Sequence, residues 1–315
     1  MFLIVGGRQY GGKVYEEMAR KVLSRHFEVE EYNVRKKFRI LWDFWRISKR
    51  KDNDIIVKNL DACLFLNKEP VKTIAIVHHI DYSFAPLWVR VVFSFLLPII
   101  MRNLKKSDAI VVVSNYWKNY FEKKGYKNVF LIYNTFDIND FNISDKEVLE
   151  FRKKYKLEGK PIVYLGNCQK AKGVVESYNA LKCLNCHLVT SGKPMVEIPA
   201  RNFEVSSREY LRLLKTSDIV LTMSKFKEGW CRTAHEAMLC KTPVIGSGKG
   251  GMRELLEGGK QIICEDFSKL RERVECLLRN PQLREKMGED GYNFARSFTI
   301  EKFKKDWLKL IKDLL

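Results

Sequence analysis

The sequence predicts an α/β protein built from two doubly wound parallel sheets, and three observations carry that prediction. Short apolar runs rich in β-branched residues recur along the chain, with helix-prone stretches between many of them. A charged, helix-prone segment from Ser144 to Leu157 interrupts this rhythm, which then restarts. At 315 residues the chain is long for one α/β domain and comfortable for two of roughly 150.

In order, the strand-like runs are Phe2 to Gly7, Phe27 to Asn33, Asp54 to Asn59, Thr73 to His79, Ala109 to Ser114 and Val129 to Asn134. After the interruption come Pro161 to Asn167, His187 to Ser191, Asn202 to Ser206, Asp218 to Ser224, Thr242 to Ser247 and Gln261 to Asp266. The stretch 298–315 has apolar residues at helical spacing and reads as a closing amphipathic helix. Residues 1–140 and 141–297 are thus expected to form two Rossmann-like domains. Ligands of open α/β sheets sit beyond the carboxyl ends of the strands, so two such domains facing one another would enclose a cleft.

The residues that carry chemistry cluster at those strand ends. Two carboxylates, Glu228 and Glu236, lie eight positions apart around a strand-to-helix turn, Glu228 before the helix and Glu236 within it. Amides near Trp230 to Thr233 should point above the sheet, where a helix N-terminus attracts phosphate. A glycine-rich turn, Gly248-Lys-Gly250-Gly251, follows. Strand Pro161 to Gly166 runs into Asn167-Cys-Gln-Lys-Ala-Lys172-Gly173, and strand Thr73 to Val77 into His78-His79-Ile-Asp81. Strand one leads into Gly6-Gly-Arg-Gln-Tyr-Gly11-Gly12, which alone is a weak signal.

Together these motifs resemble the retaining glycosyltransferases of family 4, which have the glycosyltransferase-B fold and an E-x7-E signature. The resemblance is dense from Gly166 to Phe298 and looser before Asp137. It implies that Glu228 contacts the donor sugar, that Glu236 holds the nucleotide ribose, and that Gly229, Trp230, Cys231 and Arg232 line the donor site between them. By the same resemblance Lys172 and Gly173 belong to a diphosphate-binding loop, Gly11 and Gly12 to the family's glycine pair, and His78, with His79 in reserve, lies near the reacting sugar carbon. It also implies that the closing helix crosses back onto the first domain. Two departures stand out: Asn167 occupies the family's arginine position and cannot make a bidentate charged contact, and Cys231 stands where the family usually has glycine.

The function implied is transfer of a sugar from a nucleotide diphosphate sugar, UDP- or GDP-linked, to a hydroxyl acceptor, with His78, Glu228 and Lys172 as the catalytic set and no cofactor. The fold class needs no Asp-x-Asp metal motif, and none stands at a strand end. A nucleotide-sugar epimerase of related fold is one alternative, distinguished by isomerising its substrate without an acceptor. A catalytically weak glycosyltransferase-like subunit that binds membrane or protein is another, suggested by Asn167 and Cys231.

The net charge of +19 calls for an anionic partner. Nucleic acid is disfavoured, because no recognition motif is present and the glutamates would repel phosphates. A membrane surface is offered by 33–51, which holds eight Lys or Arg and one Asp, with Val34, Phe38, Leu41, Trp42 and Trp45 at helical spacing. That segment, and an acceptor that is a glycan or lipid-linked, make a peripheral position on the inner face of the membrane an expectation. Pro86 to Met101 is strongly apolar but holds Arg90 and Pro98, and it reads as a buried helix of the first domain. Eight scattered cysteines and an N-terminal run too short for a signal sequence suit the reducing cytosol. Cys183-Leu-Asn-Cys186-His187 matches a haem or zinc pattern but has no second pair, and reads as coincidental packing.

Overall fold

A computed structural model describes residues 2–5, 11–34, 39–51, 54–67 and 69–315, the side chains of 2–5, 33 and 34 excepted. The residues from Gly6 to Tyr10 in the first glycine loop, and Arg35 to Phe38 of the basic segment, lie outside this set. The chain divides into two compact units, Met1–Thr135 with Thr299–Leu315, and Phe136–Phe298.

The first unit holds β1 (Phe2–Val5), α1 (Gly11–Leu23), β2 (Glu31–Val34), α2 (Ile40–Ser48), β3 (Ile55–Asn59), β4 (Lys72–Val77), α3 (Leu87–Leu104), β5 (Ala109–Val112), α4 (Asn115–Lys123) and β6 (Val129–Leu131). Its sheet is parallel, in the order β2-β1-β3-β4-β5-β6. Central strands such as Ile55–Asn59 and Lys72–Val77 are covered on both faces, which is why they read as continuous apolar runs rather than alternating ones.

The second unit holds α5 (Asp145–Lys154), β7 (Ile162–Asn167), α6 (Val174–Leu181), β8 (His187–Ser191), β9 (Arg201–Phe203), α7 (Ser207–Thr216), β10 (Ile219–Thr222), α8 (Arg232–Leu239), β11 (Val244–Gly246), α9 (Met252–Gly258), β12 (Ile262–Ile263), α10 (Leu270–Arg279) and α11 (Pro281–Ala295). This sheet is parallel too, in the order β12-β11-β10-β7-β8-β9. Winding reverses between β7 and β10, so the binding crevice of this sheet opens beyond their carboxyl ends. One face is packed by Val174 and Leu181 of α6 and by Leu270, Val274 and Leu277 of α10 against Val163, Leu165, Ile219 and Leu221.

The closing helix, α12 (Ile300–Leu314), belongs to the first unit. Thr299 caps it, and its buried stripe of Phe303, Trp307, Leu310 and Ile311 packs beside α1. Tyr15 of α1 meets Phe303 edge-on with centroids 5.3 Å apart, and donates its hydroxyl to the carbonyl of Ile132 at 3.0 Å.

Two expectations need correction. The basic segment is not one helix from Asn33: Glu31–Val34 is a strand and α2 begins at Ile40, because the parallel pairing with β1 claims Asn33 and Val34. Nor is α3 a buried helix. Only Ile100 and Leu104 are buried, while Leu87, Trp88 and Phe95 are 72, 71 and 73% exposed. Its apolar residues run nearly all round, and one stripe is the most that a single sheet face covers.

Candidate functional site

In the second unit the site grows from the two strands that flank the reversal. β7 ends through Gly166, at φ 109°, and a register irregularity between Tyr164 and Asn167. The chain then makes a tight turn to Gly173, at φ 70°, where any side chain would meet the carbonyl of Met223 at 2.3 Å. Glycine is therefore required to let this loop lie against the end of β10. The turn carries Lys172 across to the loop after β10, where its Nζ donates to Glu228 Oε1 at 2.6 Å.

Glu228 is 7% exposed and accepts a second bond, from Ser224 Oγ, at 2.5 Å. Its main chain is held by the glycine turn after β11: Glu228 N donates to the carbonyl of Lys249, and Gly251 N donates to the carbonyl of Glu228. Gly250 sits at φ 69° with a would-be Cβ 2.4 Å from that same carbonyl. What demands glycine here is the backbone of Glu228. Burial lowers the Lys172 pKa, but the nearby Glu228 carboxylate and Cys231 outweigh it and hold the ammonium above its ordinary value. Lys172 Nζ also lies 4.8 Å from the ring centre of Phe226.

Helix α8 starts at Arg232 with no side chain capping its N-terminus. The residue before it, Cys231, has φ 73°, in the region that favours glycine. Burial pushes its thiol up to about 12, which keeps it protonated and unreactive. One turn into the helix Glu236 accepts from Arg232 at 3.1 Å, and Arg232 in turn stacks on Phe136, 4.1 Å from the ring centre. Burial raises the pKa of Glu236 above the usual carboxylate range despite the Arg232 charge. Trp230 faces the interior: its indole nitrogen donates to His235 Nδ1 at 2.9 Å, while His235 Nε2 lies 3.0 Å from the carbonyl of Ala295. Burial brings the His235 pKa down to about 3, so it is a neutral strut.

Lys172, Gly173, Glu228, Cys231, Arg232 and Glu236 therefore meet at the carboxyl ends of β7 and β10. A cavity of about 20 Å³ between Asn167, Lys172, Ser224, Cys231 and Thr233 has room for about one water. Asn167 is committed elsewhere, its Oδ1 accepting from Tyr164 Oη at 3.2 Å and Ser191 Oγ at 3.1 Å. Lys170 is exposed at the rim of the loop. Sequence reasoning missed Ser224, Tyr164 and Ser191; their signal is only that a hydroxyl stands at or near the end of each of three adjacent strands.

The first unit carries the remaining residues. Gly11 and Gly12 open α1, and Ser114 caps α4. The two histidines after β4 diverge. His78 stands edge-on to Tyr15, with its Nε2 3.7 Å from Glu16 Oε1, whereas His79 turns toward Tyr82. Glu16 was not foreseen: it is 1% exposed, and His78 Nε2 lies within 4 Å of its carboxylate. Cys183 is exposed and Cys186 half-buried, and no cluster of three or more metal-ligating side chains occurs among the described residues.

With this geometry in hand, the profile of Glycosyltransferase Family 4 matches residues 4–140 and that of glycosyl transferases group 1 matches residues 202–294. The chain belongs to the family 4 glycosyltransferases. An uncharacterized glycosyltransferase, MJ1178 of Methanocaldococcus jannaschii, is 30% identical over 213 residues, which are 62% of this chain and 57% of that relative. The match thus spans little more than half of the relative. Among solved structures, Anabaena HepE in complex with UDP-glucose superposes with a TM-score of 0.81 at 16% identity, covering 99% of this chain and 98% of that one. Sucrose-phosphate synthase from Thermosynechococcus elongatus gives 0.82 at 14% identity, with 99 and 98% covered. These two likenesses speak to the fold, which is of the glycosyltransferase-B type throughout this family 4 chain.

Proposed function

We propose that the protein transfers a sugar, with retention at the anomeric carbon, from a nucleotide diphosphate sugar to a hydroxyl acceptor. The observation that carries this reading is the Lys172–Glu228 pair at the winding reversal, just before the helix that holds Glu236 one turn in. In the free protein the ammonium and carboxylate satisfy each other. A donor offers each a better partner, phosphate oxygens for Lys172 and sugar hydroxyls for Glu228, while Glu236 accepts from the ribose. The bond from the anomeric carbon to the diphosphate oxygen breaks as the acceptor oxygen bonds to the same face, and the acceptor proton passes to the departing phosphate. Lys172 and the uncapped start of α8 stabilise the charge gathering on that phosphate. His78 serves the sugar and acceptor side.

In this reading Lys172 supplies the positive charge on the diphosphate, so transfer continues undiminished in excess chelator. The acceptor is a glycan or a lipid-linked hydroxyl. The enzyme works in the cytosol, peripheral on the membrane, and the exposed Leu41, Trp42 and Trp45 of α2 support that placement.

The test is a panel of nucleotide sugars screened for thermal stabilisation, with UDP-glucose first because the Anabaena protein holds it. A ligand at a hundred times its dissociation constant adds about 2.7 kcal/mol. One nucleotide class should stabilise, and Glu228→Ala should lower turnover more than nucleotide affinity. If no UDP- or GDP-sugar shifts the melting temperature, the reading fails.

A further inference from the structure

We infer that α3 lies in the surface of an anionic bilayer and is the element that inserts. This deepens the peripheral placement proposed above, and names a surface other than α2. Trp88, Val91, Val92, Phe95 and Ile99 recur at helical spacing on the exposed side of α3, the reverse of what a helix facing water presents. The helix is 18 residues long with a mean hydropathy of 1.6. No acidic residue occurs from Phe84 to Lys106, whereas Arg90, Arg102, Lys105 and Lys106 do.

Topology decides how such a helix meets a membrane. β4 and β5, which α3 joins, are neighbouring parallel strands of one sheet, so both ends of the helix return to the same body. A spanning helix would put its ends on opposite sides of the bilayer. α3 therefore lies flat, its apolar face among the acyl chains and its cations at the headgroups.

Two further features select a lipid surface over a second copy of the chain. A groove of about 670 Å³ between α3 and α4 is lined by Arg102, Lys105 and Lys124, and contains no acidic side chain. Lys105 and Lys124 are poised over Tyr126 and Tyr120, 5.2 and 5.0 Å from the ring centres, which suits capture of a lipid phosphate. A twofold pairing of α3 faces would instead bring these uncompensated cations together, on a chain already carrying +19.

α2 sits in the same layer. Ile56 of β3 and Ala75 of β4 share a sheet face by register, and α2 packs on the first while α3 packs on the second. The neighbouring rings of Trp42 and Trp45, with centres 4.9 Å apart, are therefore on the side of the sheet that carries α3.

The experiment is flotation of the full chain with vesicles of phosphatidylcholine alone or with phosphatidylglycerol. Wild type should float with the phosphatidylglycerol vesicles and much less with neutral ones. Trp88→Ser with Phe95→Ser, at sites too exposed to support the fold, should abolish flotation with the melting temperature unchanged. Arg102→Gln, Lys105→Gln and Lys124→Gln together should erase the preference for phosphatidylglycerol. Donor hydrolysis and transfer to a soluble acceptor, measured on the same variants, should persist, so that loss of membrane binding and failure of the enzymatic reading are told apart. The inference is overturned if wild type ignores anionic vesicles at low salt, or if the tryptophan and phenylalanine variant floats as well as wild type. It is equally overturned if that variant turns a sedimenting dimer into a monomer, which would assign the face to a second copy.

Discussion

A lysine and a glutamate 2.6 Å apart cancel each other's charge, and each must change partner when an anionic ligand arrives. Removing Lys172 therefore does two things: it strips the diphosphate of its cation and leaves the buried Glu228 carboxylate without its ion-pair partner. Lys172→Ala should depress turnover by a factor of about a hundred or more, comparable to losing one oxyanion donor. Steady-state transfer assays check this, and wild-type turnover in the variant would put the diphosphate elsewhere. Glu236 makes a separate prediction through its raised pKa, caused first by burial and opposed by Arg232. Its neutral form is favoured in the fold, so its contribution to stability is complete below the unfolded pKa and is lost as pH rises through the folded one. Binding runs the other way, because only the ionised carboxylate accepts from both ribose hydroxyls. Nucleotide affinity should fall as pH is lowered through the mildly acidic range, earlier than for an ordinary exposed glutamate. Calorimetry should find Glu236→Gln weaker and flat over the same range. None of this pairing was legible in the sequence. Both glutamates and Lys172 stood out there as motif residues, but a contact between positions 172 and 228 exists only once β7 and β10 are neighbours.

At the scale of elements, the strands could be read and the roles of the turns could not. Buried parallel strands announce themselves as apolar runs, and β3, β4, β7 and β10 stand where such runs occur. The glycine turn after β11 is visible in the sequence as a turn, but its closest constraint, the main chain of Glu228, is not. Gly250→Ala forces a side chain against that carbonyl at a positive φ, and should cost about 1–3 kcal/mol while lowering donor affinity, because Glu228 must shift. Thermal melts and calorimetry on the variant test the two effects together, and unchanged values in both would show that the turn adapts freely. α3 was misread for a different reason. Periodicity reports which residues are apolar, and a helix that buries them in a core has the same pattern as one that offers them to lipid.

For the whole molecule, the two units each have a core, and unfolding need not be a single step. Trp307 of α12 is fully buried against the first unit, with Tyr15 and Phe303 around it. Trp307→Ala should cost about 3–5 kcal/mol in that unit. Calorimetry should show one transition moving down while the other, stabilised by nucleotide sugar, holds its temperature. A uniform downward shift of a single transition would mean that the units melt together. The pairing of distant segments in the first unit was legible only through the family resemblance, since amphipathic spacing in 298–315 says that a helix needs a partner and not which one.

That same helix sets an order on biosynthesis. Residues up to Thr135 leave the ribosome some tens of seconds at most before residues 299–315, at about 5–20 residues per second. That interval is the time in which the second unit is made, while Tyr15 and the surface around it wait uncovered for Phe303 and Trp307. The nascent chain thus carries an aromatic patch until α12 conceals it, and the first unit, begun before the second, is completed after it.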